Sequence, residues 1–283
     1  MRYFYFTFIF ILFICCGANK RYLKPYDPEK AGATIVESFD ITKQLRLVRY
    51  SGDHTTSLDD ASYEVAEYNN DIYIRNREFI HVYKKATFSK SDEIRLVEIK
   101  HRGNGFVITD DGKAFLFNAS EKYLYSVDLI TGDSVLLDDF EIKDGVNFND
   151  INCQRMGYDM ADNLIWFESS QRNYYFFKYN PVDGFIFFEK KNGINFRPVR
   201  NTCVIYGNVI FLSGHSYIGG NTIGDVGIWI YHLDNPEKIE HFIDVEYLNT
   251  LTIPQSAHYD GEHIWLLVER KGRILMLKLL PHW

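Results

Sequence analysis

The chain has 283 residues, of which 46% are hydrophobic, 16% aromatic and 24% charged. That apolar content supports a sizeable core and excludes a disordered chain. A formal net charge of −7, with no Lys/Arg run longer than two residues, argues against a nucleic-acid partner, because phosphate binding needs a concentrated basic surface.

The first segment reads MRYFYFTFIFILFICCGANK. Arg2 is a minimal basic n-region, Tyr3 to Ile14 an apolar h-region, and Cys15-Cys16-Gly17-Ala18 a small-residue c-region. Residues 1–18 therefore read as an export signal, too short for a membrane span. The segment resembles a bacterial lipoprotein signal, in which Cys16 becomes the acylated first residue; ordinary cleavage after Ala18 is the alternative. Residues 19–33 then form a polar tether to a domain at 34–283, and the only membrane contact expected is that lipid. The protein is expected outside the cytoplasm, lipid-anchored in the cell envelope or secreted.

After the tether come short β-prone runs in a repeating order. Five turns rich in Asn, Asp or Gly each precede a strand with one large aromatic: Tyr73, Phe115, Trp166, Phe211 and Trp265. Second apolar runs follow at 79–83, 123–127, 174–179, 228–233 and 274–279, and third runs at 94–99, 135–140, 185–189 and 240–245. With a strand ahead of each aromatic one, the unit has four antiparallel strands, a to d, and a period of about fifty residues. The last unit lacks its d strand. Gln44 to Tyr50 (QLRLVRY) matches the d strand at Glu93 to Ile99 (EIRLVEI), so this N-terminal strand is expected to complete the last unit and close a ring. Six units is the alternative count, but no sixth aromatic strand is present.

These units resemble the β-propeller superfamily, and the Asp128-Leu129-Ile130-Thr131-Gly132 turn is similar to turns in quinoprotein-like bacterial propellers. With the leader, the chain resembles exported bacterial propeller proteins of unassigned function. The resemblance implies an all-β propeller and says almost nothing about chemistry.

In such a fold the d-to-a and b-to-c connections share one face. Two d-to-a connections hold a near-duplicate, Lys143-Asp144-Gly145-Val146-Asn147-Phe148 and Lys191-Asn192-Gly193-Ile194-Asn195-Phe196. As a binding rim these offer Asn147, Phe148, Asn149, Asp150, Asn195, Phe196, Arg197 and Arg200. As scaffolding they are a repeated turn shape with Phe filling the gap between blades. The longest b-to-c connection, Gly214 to Gly227, is glycine-rich and carries His215 and Tyr217; it reads as a flexible rim loop. Asp60, Asp150 and Glu168 are the weak catalytic candidates, as axial carboxylates of a glycoside hydrolase. No phosphate-binding glycine signature, GxSxG or zinc spacing is present, so no cofactor or metal is expected. Cys153 and Cys203 are two isolated cysteines, which an exported setting would permit to pair. The leading expectation is a non-enzymatic module that binds a protein, peptide or glycan on its loop-rich face. The alternatives are a carbohydrate-active enzyme and a structural component of an envelope assembly.

Overall fold

A computed structural model of the chain describes residues 25–45, 63–76, 79–96, 105–118, 123–137, 153–159, 162–169, 173–180, 182–191, 203–206, 209–218, 221–232, 239–249, 256–270 and 273–283. The leader, with Cys15 and Cys16, lies outside them. A single short helix, α1 (Pro28–Ala31), opens the described chain and β1 (Ala33–Asp40) follows it. Four series of four strands come next: β2 (Tyr63–Tyr68), β3 (Asp71–Asn76), β4 (Phe79–Lys84) and β5 (Lys90–Arg95); β6 (Gly105–Ile108), β7 (Ala114–Asn118), β8 (Tyr123–Val127) and β9 (Ser134–Leu136); β10 (Cys153–Asp159), β11 (Leu164–Ser169), β12 (Tyr174–Asn180) and β13 (Gly184–Lys191); β14 (Cys203–Tyr206), β15 (Val209–Ile218), β16 (Asn221–His232) and β17 (Ile239–Asp244). A final three are β18 (Ser256–Tyr259), β19 (Ile264–Arg270) and β20 (Arg273–Pro281). No helix among the described residues is long and apolar enough to cross a membrane.

Turn chemistry sets these hairpins. Asn69 and Asn70 take φ of 51° and 62°, the consecutive left-handed pair that a two-residue hairpin turn requires and Asn tolerates. At the β8–β9 turn the Asp128 carboxylate accepts from the backbone N–H of Ile130 (2.7 Å) and Thr131 (3.0 Å), and Gly132 supplies φ of 78°. Asn180 repeats this at the β12–β13 turn, accepting from Val182 (2.9 Å) and Asp183 (2.6 Å) ahead of Gly184.

The strands make four sheets: β1-β20-β19-β18, β2-β3-β4-β5, β6-β7-β8-β9 and an eight-stranded β13-β12-β11-β10-β14-β15-β16-β17. Five separate sheets were expected. The difference arises at one parallel pair, Asp159 beside Ile205, which joins the inner strands β10 and β14 of two series that are each an antiparallel meander.

The strand paired with β20 also differs from expectation. β1 pairs antiparallel with β20, from Ala33 opposite Pro281 to Asp40 opposite Leu275. Ile41 to Leu45 then form a turn, with both residues buried, and Arg46 to Tyr50 lie outside the described residues. The open edge of β20 is taken by the segment that also brings Phe39 onto the stacked ring of Phe88, 4.5 Å away. The supposed tether is likewise packed at its end: Asp27 caps α1, its N–H donates to the Tyr247 carbonyl, and Ala31 and Ala33 are buried.

Four apolar clusters lie between neighbouring sheets. Trp265, Leu267 and Met276 meet Val65, Ile72, Ile74 and Tyr83 where the last sheet faces the first. Further round, β2–β5 packs on β6–β9, β6–β9 on β10–β13, and β14–β17 on the last sheet. Each fully buried aromatic contributes about 2–3 kcal/mol, so Phe115, Trp166 and Trp265, all 0% exposed, are core as the repeat pattern implied. Tyr73 joins them at 9%.

Every four-residue or longer outer strand carries a bulge. The extra residue is Ser91 in β5, Phe188 in β13, Glu240 in β17 and Val36 in β1. Bulges twist an edge away from further pairing, which is how a sheet protein keeps its outer strands from joining other chains.

Candidate functional site: the axis and its two faces

The first strands of the successive series touch in cyclic order, β2 to β6 to β10 to β14 to β18 and back to β2. They enclose a narrow axial cavity lined by Glu64 to Glu67, Gly105 to Ile108, Met156 to Tyr158 and Ser256 to His258. Counted at the centres of water-sized spheres its volume is about 40 Å³. One water needs roughly 10–15 Å³ on that measure, so the cavity has room for a few waters. Two glycines keep the walls close: a Cβ on Gly157 would stand 2.0 Å from the Trp166 ring, and one on Gly105 2.6 Å from Met156 Cβ.

Charged groups around the axis are paired. Glu64 on β2 sits directly across from Arg75 on β3, with Nη1 donating to Oε2 at 2.7 Å and both side chains buried. Burial pushes the Glu64 carboxyl up, against the pull of Arg75. In the third series the same cross-strand position holds Arg155 on β10 and Glu168 on β11, 3.1 Å apart. Glu168 is only 4% exposed.

A second set joins the first sheet to the last on the opposite face, where the a-to-b and c-to-d turns lie. Lys85 Nζ reaches Glu67 at 2.7 Å and Asp260 at 2.8 Å, and His258 Nε2 stands 3.7 Å from Glu67. Burial acts to raise the Asp260 pKa. The Lys85 ammonium, the His263 N–H and the Trp265 indole N–H at 2.8 Å overcome it and hold the group well below the usual carboxylate range. For Lys85, burial acts downward and the two carboxylates outweigh it, raising the ammonium. Ser256 adds a neutral link across this seam, its hydroxyl accepting from Val65 N–H at 3.0 Å. Among the described residues no group of three or more His, Cys, Asp or Glu is placed to hold a metal.

The residues singled out from sequence fare unevenly. Asp60, Asp150, Asn147, Phe148, Asn149, Asn195, Phe196, Arg197 and Arg200 lie outside the described residues. Glu168 is described, and it is one half of a buried ion pair. His215 and Tyr217 fall on β15, opposite Val226 and Thr222. Here the expectation of a flexible loop is corrected: Gly214 to Ile218 pairs with Asn221 to Gly227, apart from Gly224 and Asp225, because the glycines do not prevent a ladder that Tyr, Ile, Thr and Val favour. Cys203 stands level with Gly157 in the β10–β14 register, leaving Cys153 about 13 Å further along the strand. A disulfide needs Cα atoms about 4.4–6.8 Å apart. Sequence reading missed the Glu64–Arg75 pair, although the two residues flank the Asn69-Asn70 turn symmetrically and that symmetry predicts them opposite each other.

Antiparallel sheets packed face to face around a narrow axis define a β-propeller, and this chain is one. No family model matches it, and no curated protein matches it. Among solved structures it is similar to a glutaminyl cyclase from Myxococcus xanthus, with a TM-score of 0.51 at 9% identity over 88% of this chain and 97% of that one. It is also similar to the β-propeller domain of Cps50 (Swd1) from Myceliophteria thermophila, with a TM-score of 0.42 at 7% identity over 76% of this chain and 82% of that one. At these identities the likeness concerns the fold alone.

Proposed function

We propose that this chain is an exported five-bladed propeller, closed by β1 as the outer strand of its last blade, and that it works as a binding module for a protein, peptide or glycan. The blade count is supported by the cyclic contact of five inner strands, and closure by the pairing of β1 with β20. Export rests on the leader at residues 1–18. The observation that carries the binding role is the β15–β16 hairpin. Strands β3, β7 and β11 end three residues past their aromatic, whereas β15 runs seven past Phe211. Four extra residues lift the arm about 13 Å above the face that holds the d-to-a and b-to-c connections. The binding reading assigns Asn147, Phe148, Asn195, Phe196, Arg197 and Arg200, from the sequence of the d-to-a connections, to the same rim as His215 and Tyr217 on the arm. The axis offers no comparable room, and its described carboxylates are engaged by Arg75, Arg155 and Lys85.

Glycan and peptide arrays probed with the mature chain test the reading. Retention of a glycan or peptide class, with loss when Arg197 and Arg200 are both changed to Ser, is the expected result. Turnover of chromogenic glycosides, abolished by Glu168→Gln with the fold intact, would replace it with the enzymatic alternative. Mass spectrometry of the mature N-terminus separates an acylated Cys16 from cleavage after Ala18.

A further inference from the structure

The N-terminal segment enters the ring in the place of a turn. Ile35 on β1 lies opposite Leu279, Leu279 opposite Ile264, and Ile264 opposite Tyr259, so β1 begins at the end of its sheet that holds the a-to-b turn. Asp27 to Gly32 therefore stand where a c-to-d turn would lie, and they reuse its devices. The Asp27 carboxylate accepts from the Lys30 N–H at 3.2 Å, and Gly32, with φ of 72°, lies against the Phe242 carbonyl of β17. Asp128 and Gly132 do the same in β6–β9, with Gly132 against the Arg95 carbonyl of β5. The chain thus joins the ring on the face of the c-to-d turns, opposite the rim and the arm.

That face carries the two most exposed large apolar side chains among the described residues, Ile130 at 92% and Val182 at 93%; no other exceeds 61%. Each stands two residues after the Asp128 or Asn180 that caps its c-to-d turn, on two blades packed against each other. The polar groups of these turns are engaged internally: Asp128 and Asn180 with backbone N–H groups, Thr131 with Asp133, and the Asn180 amide with Asp183. What projects is aliphatic. Single exposed aliphatics are ordinary, but the same turn position on adjoining blades makes a patterned surface. The sequence ahead of the ring indicates what that surface meets. Gly17 to Tyr26 carries Lys20, Arg21 and Lys24 and no acidic residue, in a chain of net charge −7. Ten peptide steps separate Cys16 from Tyr26, so an acylated Cys16 stands no more than about 35 Å from Tyr26. Basic residues beside a lipid anchor are drawn to an anionic bilayer surface, and aliphatic side chains gain by leaving water there.

We infer that the face of the c-to-d turns docks on the lipid bilayer that holds the acylated Cys16, with Ile130 and Val182 entering the headgroup region and the arm turned away from it. This rests on the reading of residues 1–18 as a lipoprotein leader. It goes beyond the binding role, whose rim it leaves facing outward.

The test uses the mature chain, its N-terminus identified by mass spectrometry, in vesicles of phosphatidylethanolamine and phosphatidylglycerol made with or without brominated acyl chains. Ile130→Trp and Val182→Trp place a fluorophore at each tip, where full exposure spares the fold, and thermal midpoints equal to the parent's confirm it. Tyr123→Trp, at the b-to-c end of β8 and 44% exposed, reports the opposite face. Bromine quenching of both tip variants is expected to exceed that of the parent chain at least twofold, and quenching of Tyr123→Trp to match the parent. Absence of excess quenching at one or both tips, or equal excess at Tyr123→Trp, overturns the inference. A mature chain without lipid on Cys16 also overturns it, and leaves the binding module to the glycan and peptide arrays. Failure on those arrays with quenching at both tips removes the binding module and leaves the docked face standing.

Discussion

Two blades place an ion pair at one position with the charges exchanged, fully buried in the first and part-buried in the other. In β2–β5 the inner strand supplies the carboxylate, Glu64, and the next strand the guanidinium, Arg75. In β10–β13 the inner strand supplies Arg155 and the next strand Glu168. Both second members stand two residues past the blade's aromatic, Tyr73 and Trp166. The same position holds Gly105 opposite Phe117 in β6–β9 and Ser256 opposite Leu267 in the last blade. The fold therefore tolerates an ion pair here without requiring one, and where one exists its polarity is free. A carboxylate whose place another blade gives to arginine is a partner for charge, which weighs against Glu168 as a catalytic group.

Exchange of charges gives the sharpest test. Glu64→Arg alone sets two guanidiniums together in a buried site and should cost about 3–5 kcal/mol or more in chemical unfolding. Adding Arg75→Glu recreates the polarity of the β10–β13 blade and should restore all but about 1 kcal/mol. Failure of the double variant to recover would show that the two blades are not interchangeable at this position.

His81 provides the next largest effect, and it is confined to the first blade. Burial, and then the Lys90 charge, lower its pKa from 6.5 to about 4, against the opposing pull of Glu93. The unfolded chain therefore takes up more protons between those values, and stability is lost as pH falls from 6.5 to about 4. The full loss is on the order of 3 kcal/mol. His81→Gln should flatten the pH dependence of the melting temperature in that window and leave the behaviour below it, where Glu67 and Asp260 protonate, unchanged.

Lys85→Met leaves Glu67 and Asp260 without their shared ammonium. Because Lys85 retains some exposure, the cost should be about 2 kcal/mol, less than for the buried pairs, and should grow at low salt. Limited proteolysis ahead of β2 should accelerate in parallel if the contact secures the seam between first and last blades. Gly157→Ala, which drives a methyl group against Trp166, should cost about 1–3 kcal/mol, and Gly184→Ala less, since nothing stands near Gly184 and only its φ of 73° is strained.

Much of this architecture was legible in the amino-acid order. Asn69-Asn70, Asp128 to Gly132 and Asn180 to Gly184 announce their turns, because only such residues satisfy the backbone there. The buried aromatics are readable because one large ring recurs at a fixed place after each turn. The candidate site was far less legible. Lys85 meets Glu67 and Asp260 from distant points in the chain, and no local pattern anticipates a contact formed by two blades meeting. The arm was misread for a related reason: glycine content signalled a loop, while pairing depended on a partner strand and not on composition.

By itself the sequence determined the repeating four-stranded unit, its turns and its core rings, since these follow from local sterics and a two-residue alternation of burial. Tertiary structure alone decided that Ala33–Asp40 pairs with the edge of β20. That strand also carries Phe39 into the seam beside Trp265. Tertiary structure alone decided, too, that the described charges near the axis are engaged. Pairing energies depend on which strands meet, and that information is absent from any single stretch of chain.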